Sequence, residues 1–427
     1  MNNNLNHQYS LEYARQLDQQ DSLYSYREQF YAPYLNNKRA VYFLGNSLGL
    51  QPKTTQDEVM KIMEGWANFG VEGFFLGKDP WLHHHKQITP LLTGIVGAKE
   101  EELVIMNHLT VNLHLLMISF YRPTKTRYKI ICEAKAFPSD QYALQSQVRL
   151  HGYDPKEAIV EVNPKTGTEL ITTQDIIDSI EEHKDELALV LFSGVNYYSG
   201  QVFDIAGITK AAHDAGAYVG FDLAHAAGNI NLQLHDWNVD FACWCNYKYL
   251  NSGPGAIAGA FVHERHLDDE RLPRLEGWWG NNVSNRFEMQ NSFTSSHTAE
   301  SWNMSTPPIM MLAAHKAALQ VFADAGFETL LSKSKLLSEF LFFTLDHINE
   351  PVEKFSIITP RNNNEHGAQV SISIHHNAKA VFDTLLPLGI FADWREPNVI
   401  RVAPVPLYNS FEEIFIFADT LRQLLTD

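Results

Sequence analysis

Basic residues are scarce in this chain. Its 427 residues include 33 lysines and arginines against 50 aspartates and glutamates, a formal net charge of −17. That leaves no basic stripe for nucleic acid, whose binding rests on neutralising phosphates. Three cysteines are too few for a disulfide framework, so a reducing compartment, the cytosol, is expected. No apolar run reaches the ~20 residues of a membrane-spanning helix. The opening MNNNLNHQYS lacks the basic and apolar regions of a secretory signal. There is no internal repeat. What remains is a globular composition, 45% hydrophobic, in a chain long enough for two domains.

Short β-rich runs alternate with helical patterns, which predicts a parallel sheet with crossover helices. YKIICEA (128–134), LALVLFSGV (187–195), YVGFDLAH (218–225) and VDFACWC (239–245) read as buried strands. TTQDIIDSIEEHKDE and ITKAAHDAGA read as helices between them. AIAGAFVH (256–263) follows too soon for a crossover, so it is expected as an antiparallel neighbour. After residue 305 the texture changes. A double proline opens a long helix, a second helix follows, and smaller strand–helix alternation runs to the end. These patterns predict an arm over 1–45, a large domain over 46–305 and a small α/β domain over 306–427.

One lysine, Lys248, stands alone in FACWCNYKYLNSGPGAIAGAFV (241–262), after an apolar run and before a glycine–proline turn. A desolvated lysine amine is suited to forming a Schiff base with an aldehyde cofactor. Such a cofactor, pyridoxal phosphate, needs a carboxylate at its ring nitrogen, a flat face for its ring and donors for its phosphate. Asp222 ends the preceding strand, Phe137 offers a ring, and Thr110, Ser193 and Tyr247 offer hydroxyls. His225 is placed to bond either cofactor or aspartate. In a parallel sheet the loops carrying these residues converge beyond the strand ends. Singly, each has a bland reading: a solvated lysine, a turn aspartate, a helix start at FPSD.

GFDLAHAAGN, LHDWNVDFACWCNYKYLNSGPG and IRVAPVPLYNSF resemble the kynureninase family of pyridoxal phosphate enzymes. YFLGNSLGLQP, NHLTVNLHLLM and FPSDQYALQSQ are similar to its N-terminal blocks, in matching order from about residue 40 onward. The resemblance implies a three-layer α/β/α large domain of the transferase-like fold type I, a homodimer, and cleavage of L-kynurenine to anthranilate and L-alanine. It implies that Lys248 holds the cofactor and transfers the substrate's α-proton, with Tyr247 as an acid–base partner. Asp222 pairs with the ring nitrogen, Asp140 lies nearby, and Phe137 stacks beside Pro138 and Ser139. Leu109, Thr110 and Tyr247 serve the phosphate, while Ser193 and His225 line the other edge. Trp278 and Thr306 reach the phosphate from a second subunit, and Arg401 clamps the substrate carboxylate. Members favouring 3-hydroxykynurenine carry a histidine and a Ser–Asn pair where this chain has Phe74 and Ser305–Thr306, so plain kynurenine is the expected substrate.

Rival readings are an aminotransferase, a cysteine desulfurase, or a cofactor-binding protein without turnover. A desulfurase needs a mobile reactive cysteine, and Cys132, Cys243 and Cys245 all lie on apolar strands. No metal is expected. His83–His85 point in different directions with no acidic cluster in sequence, and Trp66, Trp81 and Trp237 read as packing residues.

Overall fold

Seven apolar strands form the centre of the larger of two units: β1 Leu103–Ile105, β2 Lys129–Glu133, β3 Ile159–Val162, β4 Leu187–Ser193, β5 Tyr218–Asp222, β6 Phe241–Cys245 and β7 Ala258–Val262. The computed structural model describes residues 7–35 and 37–426. The spatial order is β1-β7-β6-β5-β4-β2-β3, with β6 to β3 mutually parallel. β7 runs antiparallel to both β6 and β1, as the short turn after Lys248 requires.

Helices cover both faces. Leu109–Phe120 (α1) and Pro138–Leu150 (α2) bury Leu116, Phe120, Leu144 and Val148 against Ile130, Cys132, Leu191, Phe241 and Cys243. Thr173–His183 (α3) and Ile205–Asp214 (α4) turn Ile176, Ile180 and Ile208 inward. Both start on side-chain caps: Thr172 accepts from Asp175 N, and Asp204 accepts from Gly207 N. Continuous apolar strands between two helical layers give the three-layer α/β/α class. Close strand packing demands glycine at Gly220, where a Cβ would stand 2.1 Å from the Phe241 ring. No helix among the described residues is long and apolar enough to cross a membrane.

The smaller unit gathers the described residues up to Thr54, Tyr197–Val202 and the chain from Val321. The division falls inside the helix Ile309–Ala325, at Gln320/Val321, and residues to Thr54 join the C-terminal part. This division differs from the expected bounds of 1–45 and 306–427. The arm also contributes directly to this unit's core. Asp18, from helix Leu11–Gln20, accepts the N–H groups of Phe411 (2.7 Å) and Glu412 (3.0 Å), capping helix Phe411–Leu424. That helix and Phe327–Asn349 lie on an antiparallel sheet of Phe355–Ile357, Val370–Ile374, Val399–Val402 and Asp393–Arg395.

At the edge of the large sheet opposite the strand ends, Asp240 is 2% exposed and collects four donors. His213 Nε2 (2.9 Å), His266 Nε2 (2.7 Å), Arg265 (2.5 Å) and Val219 N (2.8 Å) all reach it. Burial alone would raise its pKa, but the two histidines and the arginine outweigh burial and hold it below the usual carboxylate range. A depressed folded-state value means stability present above the unfolded value of about 4 and lost as pH falls through the folded one. Asp240→Ala is expected to cost about 3 kcal/mol in urea denaturation at pH 7, with the difference shrinking below pH 4. An equal cost at both pH values would contradict this.

Candidate active site

Four of the parallel strands deliver their polar residues to one edge. β2 is followed by the loop to Phe137 and α2, β4 ends at Ser193, β5 ends at Asp222, and β6 is followed by Tyr247 and Lys248. In register, Asp222 stands opposite Ser193 on one side and Cys243 on the other. Gly194 N donates to Asp222 O (2.8 Å), and Ala224 N donates to Asp222 Oδ1 (2.7 Å), fixing that carboxyl.

Lys248 is half-buried and, among the described residues, enters no salt bridge. Its Nζ lies 6.0 Å from the Phe137 ring centroid and 5.9 Å from that of Tyr247. The nearest charge balance comes from Asp222 and Asp140, both buried, whose fields act on it without a direct ion pair. Burial raises the pKa of Asp222. Burial and then the Asp222 charge raise that of Asp140 well above its ordinary value, with Asp140 donating its proton to Asp222. Two adjacent carboxyls in a dry site share one negative charge.

On the other side, two helix N-termini meet. Thr110 in the first turn of α1 and Ser139 in the first turn of α2 bring their hydroxyls to 2.6 Å. Leu109 precedes Thr110 and packs against the core, while Pro138 opens α2 from an exposed position. Two such N-termini with hydroxyls form an anion cradle. Phe137, 46% exposed, presents a ring to solvent just before α2. An acid pair, an amine, an exposed ring and an anion cradle are the donor set that pyridoxal phosphate requires, and the residues fit it.

Tyr247 is half-buried and its hydroxyl contacts the Cys245 thiol; burial raises its pKa, so it stays protonated at neutral pH. His225 is buried, its ring edge toward Tyr249 (6.4 Å) and its carbonyl bonded to Asn229 Nδ2 (2.8 Å). Phe74 and Trp278 lie in an aromatic cluster: Phe74 meets Trp81 (5.3 Å) and Trp279 (6.3 Å), and Trp278 meets Trp279 (6.0 Å) and Phe287 (5.6 Å). Ser305 and Thr306 are exposed. Arg401, in the smaller unit, is 1% exposed and donates to the Asp393 carboxylate and the Tyr197 carbonyl.

Glu133 escaped the sequence reading. It ends YKIICEA, the same acid-after-apolar-strand signal that marks Asp222, and its carboxylate accepts Ser193 N (3.2 Å) and Asn196 Nδ2 (2.8 Å). The histidine run is also corrected. Asp79, five residues upstream, lies 3.3 Å from His84, and folding brings the sequence-distant Glu300 to His85 (2.6 Å). Trp66, read as packing, is 61% exposed. Among the described residues Glu102, His235 and His263 gather at metal-like spacing. Within this group His235 Nδ1 pairs with Glu102 (2.9 Å), Lys99 N and Glu264 N donate to Glu102, and Arg265 N donates to His263 Nδ1.

A raised carboxyl pKa means that the folded protein binds its proton above the unfolded value of about 4, so stability falls as pH rises from there through the folded value. Asp140→Asn keeps a donor to Asp222 and removes the titration. It is expected to stabilise the cofactor-free protein at pH 7 by about 1 kcal/mol, the gain vanishing towards pH 4. Lower stability at pH 7 in chemical denaturation would sink the paired-carboxyl reading.

Solved structures share this architecture. A mutant of the lyase C-DES with glycine covalently linked to its PLP cofactor superposes with TM-score 0.76 at 17% identity, over 93% of this chain and 98% of that one. A cysteine desulfurase from Thermococcus onnurineus does so with TM-score 0.71 at 19%, over 91% and 95%. At such identity these matches establish the fold alone. The sequence matches go further. The family model described as "Kynureninase C-terminal domain" covers residues 330–421. A kynureninase from Flavobacterium psychrophilum is 53% identical across 97% of this chain and 98% of its own length. The Homo sapiens kynureninase is 45% identical across 96% and 92%. On that extent of identity, the chain belongs to the kynureninase family.

Proposed function

We propose that the protein is a pyridoxal phosphate-dependent hydrolase that cleaves L-kynurenine to anthranilate and L-alanine, in the kynurenine pathway of tryptophan breakdown. The observation carrying this reading is Lys248, a half-buried amine that enters no salt bridge among the described residues, about 6 Å from both the Phe137 and Tyr247 rings and within the field of the Asp140–Asp222 pair. When bound, pyridoxal phosphate supplies an electron sink that makes the substrate's Cα proton and then its Cβ–Cγ bond labile.

The chain's own residues do the rest. Lys248 would hold the cofactor at its aldehyde, and its Nζ would stand ready to move the substrate's Cα proton. Asp222 holds a proton at the ring nitrogen, and Asp140 supports it by donating to the same carboxylate. Thr110 and Ser139 hold the phosphate at the two helix N-termini, Leu109 setting the backbone there and Tyr247 adding its hydroxyl. Ser193 and His225 flank the ring. Water adds to the γ-carbonyl, its oxygen leaving in the anthranilate carboxylate. The departing Cβ takes a proton, for which Tyr247, held protonated by burial, is the assigned donor. Arg401 takes the substrate's α-carboxylate, a partner for which a guanidinium fork is shaped. Phe74 offers no hydrogen bond to a 3-hydroxyl group.

A desulfurase reading finds no reactive thiol, since Cys132, Cys243 and Cys245 are buried on strands and burial raises each pKa. Three free buried thiols suit a cytosolic location. The assembly assigned here is a homodimer, with Trp278 and Thr306 serving the second copy's phosphate. Its support is an apolar stripe on helix Thr55–Phe69, where Met60, Met63, Trp66 and Phe69 are all exposed.

Purified protein with cofactor and L-kynurenine is expected to release anthranilate, read by fluorescence, and alanine in equal amounts. Lys248→Ala should lower kcat by at least about a thousandfold; turnover at the wild-type rate would contradict the assignment. Phe74→His should raise the preference for 3-hydroxykynurenine about tenfold, and an unchanged ratio would remove Phe74 from specificity. Light scattering should give the mass of two chains, and Trp66→Glu should give one chain with little activity. A monomeric wild type with full turnover would exclude the shared site.

A further inference from the structure

We infer that Glu133 is a positioning residue for the cofactor end of the site, holding the loop Ser193–Asn196 against the strand end that carries Asp222. The inference rests on the cofactor assignment above and extends it to a residue with no role in that chemistry so far.

Glu133 is the last residue of β2, which lies beside β4 in the sheet, and only 2% of it is exposed. Each carboxylate oxygen is committed to the same loop: Oε1 accepts Ser193 N (3.2 Å) and Oε2 accepts Asn196 Nδ2 (2.8 Å). Between them, Gly194 donates its N–H to Asp222 O (2.8 Å), and Ser193 is Asp222's register partner. The loop is therefore pinned at both ends by Glu133 and in its middle by the Asp222 backbone. Glu133 sets where Ser193 stands relative to the carboxyl that serves the ring nitrogen.

Among the described residues no cation pairs with Glu133. The charged or titratable groups around it are Asp222, Asp140 of α2 and the Cys132 thiol, none of which favours a further negative charge. Burial raises the Glu133 pKa, and the donors from Ser193 and Asn196 oppose that rise. An unpaired buried carboxylate beside two others is an expensive way to fasten a loop. Alanine-sized packing would cost less if the loop's position did not matter.

The test compares wild type, Glu133→Ala and Glu133→Gln, titrating each cofactor-free protein with pyridoxal phosphate and following the visible absorbance. Circular dichroism melts run in parallel. Glu133→Ala, which loses both bonds, is expected to weaken cofactor binding at least about tenfold. Glu133→Gln should return to within about threefold of wild type, its carbonyl taking Ser193 N–H and its amide donating to a turned Asn196. Rescue by glutamine separates position from charge. Glu133→Ala binding within twofold of wild type would overturn the inference, as would a fully folded Glu133→Gln as weak as Glu133→Ala. If Glu133→Ala does not fold, Asn196→Ala removes one bond only. It should bind about threefold more weakly, and wild-type affinity there would also overturn the inference. Wild-type protein that takes up no cofactor would instead overturn the assignment beneath it.

Discussion

Three buried carboxyls and one half-buried amine meet beyond the ends of parallel strands, and the large unit is arranged to make that tolerable. Asp222 and Asp140 share a proton, Glu133 is fastened by two N–H donors, and Lys248 offsets their charge without closing into an ion pair. In water each group would lose its leverage. In a dry site, like charges raise one another's proton affinity, and an unpaired amine keeps its nucleophilic nitrogen accessible. A protein that needs a proton held at one end of a ring and an attacking nitrogen at the other gains both from one arrangement.

The sheet makes this placement possible. Parallel strands point all their carboxyl ends one way, so loops from β2, β4, β5 and β6 open on the same side. Two helices start there as well, which brings positive helix ends and the Thr110 and Ser139 hydroxyls to the site, Asp140 following Ser139 in the first turn of α2. At the opposite edge Asp240 ties β5 and β6 together with two histidines and an arginine, so the strands that carry the chemistry are anchored at the end where none occurs.

Much of this was legible in the sequence, for physical reasons that differ by residue. Continuous apolar runs such as LALVLFSGV and FACWC can only be strands buried on both faces, and the short turn after Lys248 forces β7 to run backwards. Lys248 and Asp222 stood out because a charge that ends an apolar run needs a reason. The same rule marks Glu133, which was passed over because a neighbouring alanine and lysine made the strand end look ordinary. Strand order, the pairing of His85 with Glu300, and the union of the described residues up to Thr54 with the C-terminal part are long-range facts with no local signature. Trp66 was misread because an apolar residue on a helix looks alike in sequence whether it faces a core or solvent.

The central claim is that the Lys248 amine is the group that takes the cofactor's aldehyde. Borohydride reduction of protein loaded with pyridoxal phosphate, followed by digestion and mass mapping, tests it most directly. A single pyridoxyl adduct on the peptide containing Lys248 is the predicted result. An adduct on a different lysine, or none on protein that retains the cofactor's visible absorbance, would contradict the account.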